Sequence, residues 1–328
     1  MTQADVLKPL KTWSHLAGRR RKPSEYEIVS TNLHFSTDNP DAPFELDPNF
    51  PMARWYKEHR NASPLVHPDW NAFRDPDEIV YRTYNMLQDG QETYVFGLLS
   101  QFSERGHDSM LERQWAATLA RLYSPARYLF HALQMGSAYP TQIAPASTIS
   151  NCAAYQTGDS LRWLTHTAYR TKELSLTFPE LGFGVNERSL WEQHPAWQGW
   201  RELVEKALVA WDWAEAFVAM NLLVRPAVEE AVLRGLGQAA RHNNDTLLGM
   251  LTDAQLLDAE RHHRWAAALV KMAQGVTGNG KIIEGWVAKW EPLADAAIES
   301  YCTALPDVPN AAADAKAATR RFRSSLGL

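Results

Sequence analysis

Two pentapeptides constrain this chain more than any other feature: Asp159-Ser160-Leu161-Arg162-Trp163 and Asp258-Ala259-Glu260-Arg261-His262. Each lies in a long segment with helical periodicity. Each keeps an Asp with an Arg three residues on, which a helix brings together as neighbours. Apolar residues recur at helical spacing elsewhere too, and no stretch sustains the period-two alternation of a half-buried strand. The chain therefore reads as all-α, without short repeats, as two long halves that each carry one pentapeptide.

A chain of 328 residues is long enough for one large core or two ordinary domains. With 45% apolar and 22% charged residues it is globular and not disordered. A net charge of −5 argues against a nucleic-acid binder. Cys152 and Cys302 are too few for a disulfide framework and suit a reducing cytoplasm. The basic N-terminus, with Lys8, Lys11 and the run Arg19-Arg20-Arg21-Lys22, carries no apolar segment and so does not read as a signal peptide. No window reaches the roughly 18 apolar residues of a membrane span. The expected location is cytoplasmic.

Residues 1–75 differ from the rest. Prolines recur at 9, 23, 40, 43, 48, 51, 64 and 68, interleaved with Trp13, Tyr26, Phe35, Phe44, Phe50, Trp55, Tyr56, Trp70 and Phe73. Such a stretch does not build long helices, yet it is too aromatic for a solvated tail. It is expected to be an extended arm lying across another subunit, over its own domain, or both. Asp75-Pro76-Asp77-Glu78 has the form of a capped helix start, opening a pattern that runs to about residue 122 with a weak point at Asp89-Gly90. Ser124-Pro125 opens a helix over 126–139. Further helices are expected over 147–176, over 197–233 with a bend at Pro226, over 252–273 and over 282–305. Residues 177–195 read as a loop, Gly235 and Gly237 as part of a connection. The domains are thus an arm over 1–75, a helical domain over 76–305, and a fraying tail over 306–328.

Two Glu-x-x-His sequences, Glu104/His107 and Glu260/His263, have the spacing of metal ligands on one helix face. The first is interrupted by Gly106 and flanked by polar residues. The second is one residue out of step with the Asp/Arg frame, a rotation of about 100° around a helix. Glu215 and Glu230 are available as further carboxylates. One reading is therefore a self-contained di-iron oxidase or oxygenase with iron on Glu104, His107, Glu260 and His263. The bland reading makes them surface groups. His131, His166 and His262 sit beside apolar neighbours and read as satisfied core or interface histidines. Ser150 and Ser160 lack a nucleophile's partners, and no nucleotide-binding glycine motif occurs.

Longer words carry a family resemblance. They include Thr12-Trp13-Ser14-His15-Leu16, Lys22-Pro23-Ser24-Glu25-Tyr26, Arg60-Asn61-Ala62-Ser63-Pro64-Leu65, Tyr81-Arg82-Thr83-Tyr84-Asn85, Arg127-Tyr128-Leu129-Phe130-His131 and Ala144-Pro145-Ala146-Ser147-Thr148-Ile149-Ser150-Asn151-Cys152. Over residues 10–305 the chain resembles the β subunit of the hydroxylase component of bacterial toluene and phenol monooxygenases. In the iron-bearing proteins of that group the two marker helices carry Asp-Glu-x-Arg-His. Here Ser160 and Ala259 stand in the Glu slots and Trp163 in one His slot, so that only His262 remains. The resemblance implies a ferritin-like (ribonucleotide-reductase-like) bundle with no catalytic, cofactor or metal residues of its own. It implies di-iron in an α subunit partner and an assembly of two αβγ heterotrimers. It further implies O2- and NADH-dependent hydroxylation of an aromatic hydrocarbon, served by a reductase, a Rieske ferredoxin and an effector protein.

Overall fold

Capping residues and breakers set the helix boundaries, and a computed structural model describes residue 16, residues 22–33, residue 47 and residues 49–328. Two short helices, α1 (Glu25–Ser30) and α2 (Pro51–Tyr56), precede α3 (Tyr81–Glu104), α4 (Arg113–Leu122), α5 (Ala126–Ile143) and α6 (Ser147–Thr177). Then come α7 (Glu187–Gln193), α8 (Pro195–Ala207), α9 (Trp213–Val218), α10 (Arg225–Val228) and α11 (Leu236–His242). The π-helical turns Ala219–Val224 and Glu229–Gly235 join α9, α10 and α11 into one rod. α12 (Thr246–Gln274), α13 (Asn279–Cys302) and α14 (Ala311–Ser325) complete the chain, and no strand occurs among the described residues.

The central bundle consists of α5, α6, the α9–α11 rod and α12. A three-residue link makes α5 and α6 antiparallel neighbours. α3 packs on α12 and reaches α6 through its side chains. α8 and α13 pack together beside the rod, and α14 lies on its second π turn. The resulting ferritin-like all-α bundle matches the sequence expectation. Trp115, Trp163, Trp197, Trp200 and Trp213 are all fully buried in this core.

Several boundaries differ from the sequence expectation, each for a local reason. Asp75 does not start α3. Its carboxylate accepts from the Asp77 and Ile79 amides at 3.1 and 3.0 Å and closes a turn in which Glu78 has φ 47°. The helix begins at Tyr81, where the Thr83 hydroxyl accepts from the Val80 amide. It ends at Glu104 because Gly106 takes a left-handed φ of 67°, a conformation that suits glycine. The expected helix over 197–233 is broken between α8 and α9, where Asp212 caps α9 through the Ala214 and Glu215 amides. Pro226 does not end the rod, and Gly235 and Gly237 lie inside it. α12 starts earlier than expected, because Asp245 caps it through the Leu248 amide.

The tail expected to fray forms α14. Ala311, Ala315, Thr319 and Arg323 recur every four residues and are buried, while alanine's high helix propensity supports the rest. Arg323 donates to Glu291 on α13 at 2.5 Å. The described parts of the arm contact their own domain. Arg82 donates to Glu25, Ser147 donates to the Ser30 carbonyl, and Tyr56 donates to the Gln142 carbonyl. The basic run from Arg19 to Arg21, Trp13, Phe35 and Phe44 lie outside the described residues.

Candidate functional site

The two pentapeptides meet at the bundle centre, but their Asp/Arg pairs are crossed. Within each pentapeptide the contact is long: Arg162 to Asp159 is 3.7 Å and Arg261 to Asp258 is 3.4 Å. The shorter contacts run between helices. Arg261 donates to Asp159, and Arg162 Nη1 lies 3.3 Å from Asp258 Oδ2. The rings in the two His slots also cross. Trp163 Nε1 donates to Asp258 at 3.0 Å, and His262 Nε2 lies 2.8 Å from Asp159. Each carboxylate thus takes an aromatic N–H and a guanidinium from the opposite helix.

α3 closes this network from outside. Gln88 donates to Asp159 at 2.8 Å and to Asp258 at 3.0 Å, and Tyr84 donates to Asp159 at 3.0 Å. Tyr84 comes this near because Gly158 precedes Asp159. A Cβ at Gly158 would lie 2.5 Å from the Tyr84 hydroxyl oxygen. Burial pushes the Asp159 carboxyl above its ordinary value, and Arg261 pulls it back. Burial also holds His262 well below the usual histidine range, aided by Arg225 and Arg261, so its ring is neutral at pH 7. Arg162 further joins Glu92 at 2.5 Å, and Glu92 accepts from His166 at 3.0 Å.

Across the bundle, the α9–α11 rod turns three polar residues inward: Asn221, Arg225 and Glu229, all buried. Asn221 accepts from Gln156 at 2.8 Å. Arg225 Nη2 donates to Ser137 Oγ on α5 at 2.6 Å and to Ser160 Oγ on α6 at 2.7 Å. Glu229 pairs with His263 on α12 at 2.5 Å. Sequence reasoning missed this spine. Its signal was the four-residue recurrence of polar groups inside an otherwise apolar segment.

The four candidate metal residues do not converge. Glu104 is exposed at the end of α3 and accepts from Ser100. His107 lies beyond the helix break, in the 3-10 turn His107–Met110, so the two share no helix face. It is buried and bonds Asp245 at 3.2 Å. Glu260 is exposed on α12, while His263 is taken by Glu229. Glu215 accepts from Lys289 and Trp290, and Glu230 pairs with Arg234. Among the described residues no group of three or more His, Cys, Asp or Glu is placed to hold a metal ion. Of the three histidines expected in the core or at an interface, His166 and His262 are buried and bonded, whereas His131 is exposed on the single chain.

A second polar knot lies near the end of α3. Asp245 accepts from Arg170 at 2.7 Å, from Trp115 at 3.0 Å and from the Leu248 amide at 3.0 Å, besides its contact with His107. Burial alone would raise its pKa, but Arg170 and the other donors hold it well below the carboxylate range. Beside it is a cleft of about 250 Å³ lined by Phe102, Ser103, His107, Asp108 and Glu173 among others.

Comparison with known proteins places this geometry. The family model described as Methane/Phenol/Alkene Hydroxylase matches residues 55–276. The hydroxylase component subunit beta of the toluene-4-monooxygenase system of Ectopseudomonas mendocina is 62% identical over 298 residues, covering 91% of each chain. The oxygenase component of a phenol 2-monooxygenase from Acinetobacter pittii is 25% identical over 301 residues, covering 87% of this chain and 86% of that one. A solved structure of toluene 4-monooxygenase, with toluene bound in its resting active site, superposes with a TM-score of 0.86 at 61% identity. It covers 91% of this chain and 98% of its own. Phenol hydroxylase from Pseudomonas sp. OX1 shares the fold with a TM-score of 0.83 at 21% identity, covering 100% and 98%.

Proposed function

The chain belongs to the methane/phenol/alkene hydroxylase family, and from that premise we propose that it is the non-catalytic β subunit of a toluene monooxygenase hydroxylase. In this reading the di-iron centre and the O2- and NADH-dependent hydroxylation of the aromatic hydrocarbon reside in an α subunit partner. This chain carries no catalytic, cofactor or metal residue. It serves as a scaffold in an assembly of two αβγ heterotrimers in the cytoplasm, with an effector protein, a Rieske ferredoxin and an NADH reductase in the wider system. The arm over residues 1–75 contributes to that assembly as well as to its own domain.

One observation carries the reading. Three of the four marker positions carry an indole, a hydroxyl and a methyl, from Trp163, Ser160 and Ala259, all buried, where a di-iron bundle requires carboxylates and an imidazole. No helix of the described residues is long and apolar enough to cross a membrane, which agrees with a subunit working in water.

The test is metal content, measured on the chain expressed alone and on the complex captured through it. The expected result is an iron-free chain and a complex with about two irons per α partner. Stoichiometric iron in the lone chain, lost on His263→Ala, would establish a self-contained di-iron enzyme instead.

A further inference from the structure

The fold family implies a metal pair at the centre of such a bundle, held by a carboxylate from each of two helices and a Glu/His pair from each of the other two. The residues here do not fit that role, and their arrangement shows what replaces it. Arg225 is 1% exposed and its guanidinium reaches the Ser160 slot itself, at 2.7 Å, and Ser137 on α5, at 2.6 Å. It also approaches the Leu133 and Gln156 carbonyls, at 3.3 and 3.5 Å. One nitrogen thus links α5 and α6 to the rod that carries it.

A buried guanidinium costs several kcal/mol unless negative charge or acceptors surround it. Among the described residues no carboxylate lies within 4.0 Å of Arg225. The anions that act on it are one step further away: Glu229, four residues along the same rod, and Asp159, beside Ser160. Arg225 Nε and Nη1, Glu229 Oε1 and His262 Nδ1 are all buried without a hydrogen-bond partner among the described residues. Each of these carboxylates has a nearer cation, His263 for Glu229 and Arg261 for Asp159, and Arg225 adds a second buried positive charge to both. The two π turns on either side of Arg225 bring Asn221, Arg225 and Glu229 inward together. Such turns are frequent at functional sites.

We propose that Arg225 is a tethered cation standing in for the metal of the fold family. Its charge adds to those of His263 and Arg261 in balancing the buried carboxylates Glu229 and Asp159, and its hydrogen bonds join three helices of the bundle. This inference rests on the reading of the chain as metal-free, and it adds a reason: a fixed guanidinium at the centre repels a divalent cation.

The experiment is a double-mutant cycle on the full chain, read by urea unfolding, with iron measured on every preparation. The variants are Arg225→Met, Glu229→Gln and the pair. Arg225→Met is expected to lower the folded-to-unfolded ratio by roughly 100-fold, since it strips the buried Ser137 and Ser160 hydroxyls of their donor and removes one of the positive charges that act on Glu229. Glu229→Gln is expected to cost at least about tenfold less in the Arg225→Met background than in the natural chain. Equal costs in the two backgrounds would overturn the inference, because packing alone carries no such coupling. If Arg225→Met yields no folded chain, the double variant decides: folded double variant supports the proposal, and none overturns it. Stoichiometric iron in the natural chain alone would sink the metal-free reading itself. An additive cycle in iron-free protein sinks only the role given to Arg225.

Discussion

Trp163 Nε1 donates to Asp258 Oδ2 at 3.0 Å, across the bundle from α6 to α12. The reciprocal contact, His262 Nε2 to Asp159 Oδ2 at 2.8 Å, runs from α12 to α6. An indole in one His slot thus makes the same kind of bond to the opposite Asp that the surviving imidazole makes in the other. A metal-ligating histidine commonly gives its second N–H to a carboxylate. Here that outer bond is kept on both sides, although neither ring holds a metal in the proposed reading.

Replacing Trp163 tests the value of that bond. Trp163→Phe removes the N–H and leaves Asp258 short of a donor in a buried site. Gln88 and Arg162 still donate to Asp258, so the expected loss is that of one hydrogen bond to a charged group, about 1.5–3 kcal/mol, and more where the smaller ring leaves space. Urea unfolding would measure it. Leu161→Ala, on the exposed side of the same helix, should stay within about 0.5 kcal/mol. Equal effects from the two substitutions would mean that the Trp163 bond carries nothing special.

Asp245 offers a larger effect. It caps α12, and it is also the nearest anion to Arg170, which is fully buried, with Asp108 further away at 3.3 Å. Asp245→Asn keeps the shape and removes the charge. Breaking a buried pair by removing one partner costs about 3–5 kcal/mol. The depressed pKa fixes the sign with pH. A carboxylate held below its unfolded value contributes above that value, and the contribution is lost as pH falls through the folded one. The natural chain should therefore lose stability in acid more steeply than Asp245→Asn. Parallel curves for the two would contradict the assignment.

The fold class and the bundle centre were legible because helical periodicity is long-range and the pentapeptides stand out. Boundaries were less so. Asp75 reads as a cap and Asp212 falls inside an expected helix, yet tertiary packing makes the first close a turn and the second start a helix. Pro226 reads as a bend, but within a rod interrupted by π turns its missing amide breaks little. The crossing of the Asp/Arg pairs could not be read from spacing, since a three-residue interval predicts only the local contact. Arg225 does not stand out in sequence, because a single basic residue in an apolar helix carries no motif. α14 reads as a fraying tail in sequence because alanines give little hydrophobic contrast to its buried stripe.

Gly97 sits in the middle of α3, on its exposed side, with nothing within 4 Å of where a Cβ would be. Glycine inside a helix costs roughly 0.5–1 kcal/mol relative to alanine. Gly97→Ala should therefore stabilise the isolated chain by about that amount, read as a rise in the thermal midpoint. Gly158→Ala should do the opposite, since its Cβ would displace the Tyr84 hydroxyl from Asp159. A drop on Gly97→Ala would show that α3 is covered in the isolated chain.

The Glu229–His263 pair sets a pH window of its own. Burial opposes charge on His263, but Glu229 at 2.5 Å, with Glu230 and Glu260 near, raises its pKa above the ordinary 6.5. Burial likewise opposes the charge on Glu229, but His263, His262 and Arg225 hold its pKa below the ordinary 4.5. A histidine raised on folding contributes fully below its unfolded value, and that contribution is lost as pH rises through the folded value. A glutamate lowered on folding contributes above its unfolded value, and that contribution is lost as pH falls through the folded one. Both therefore act between 4.5 and 6.5, and stability should decline as pH climbs past 6.5 through the raised His263 value. His263 also stacks on Phe322 of α14 at 4.3 Å, so its ring is held on both sides. Urea unfolding from about pH 6 to about pH 9 should show the decline in the natural chain. His263→Gln, which keeps a hydrogen-bond donor but cannot titrate, should be less stable at the acid end and nearly flat across the range. The same slope in both chains would place the titration elsewhere.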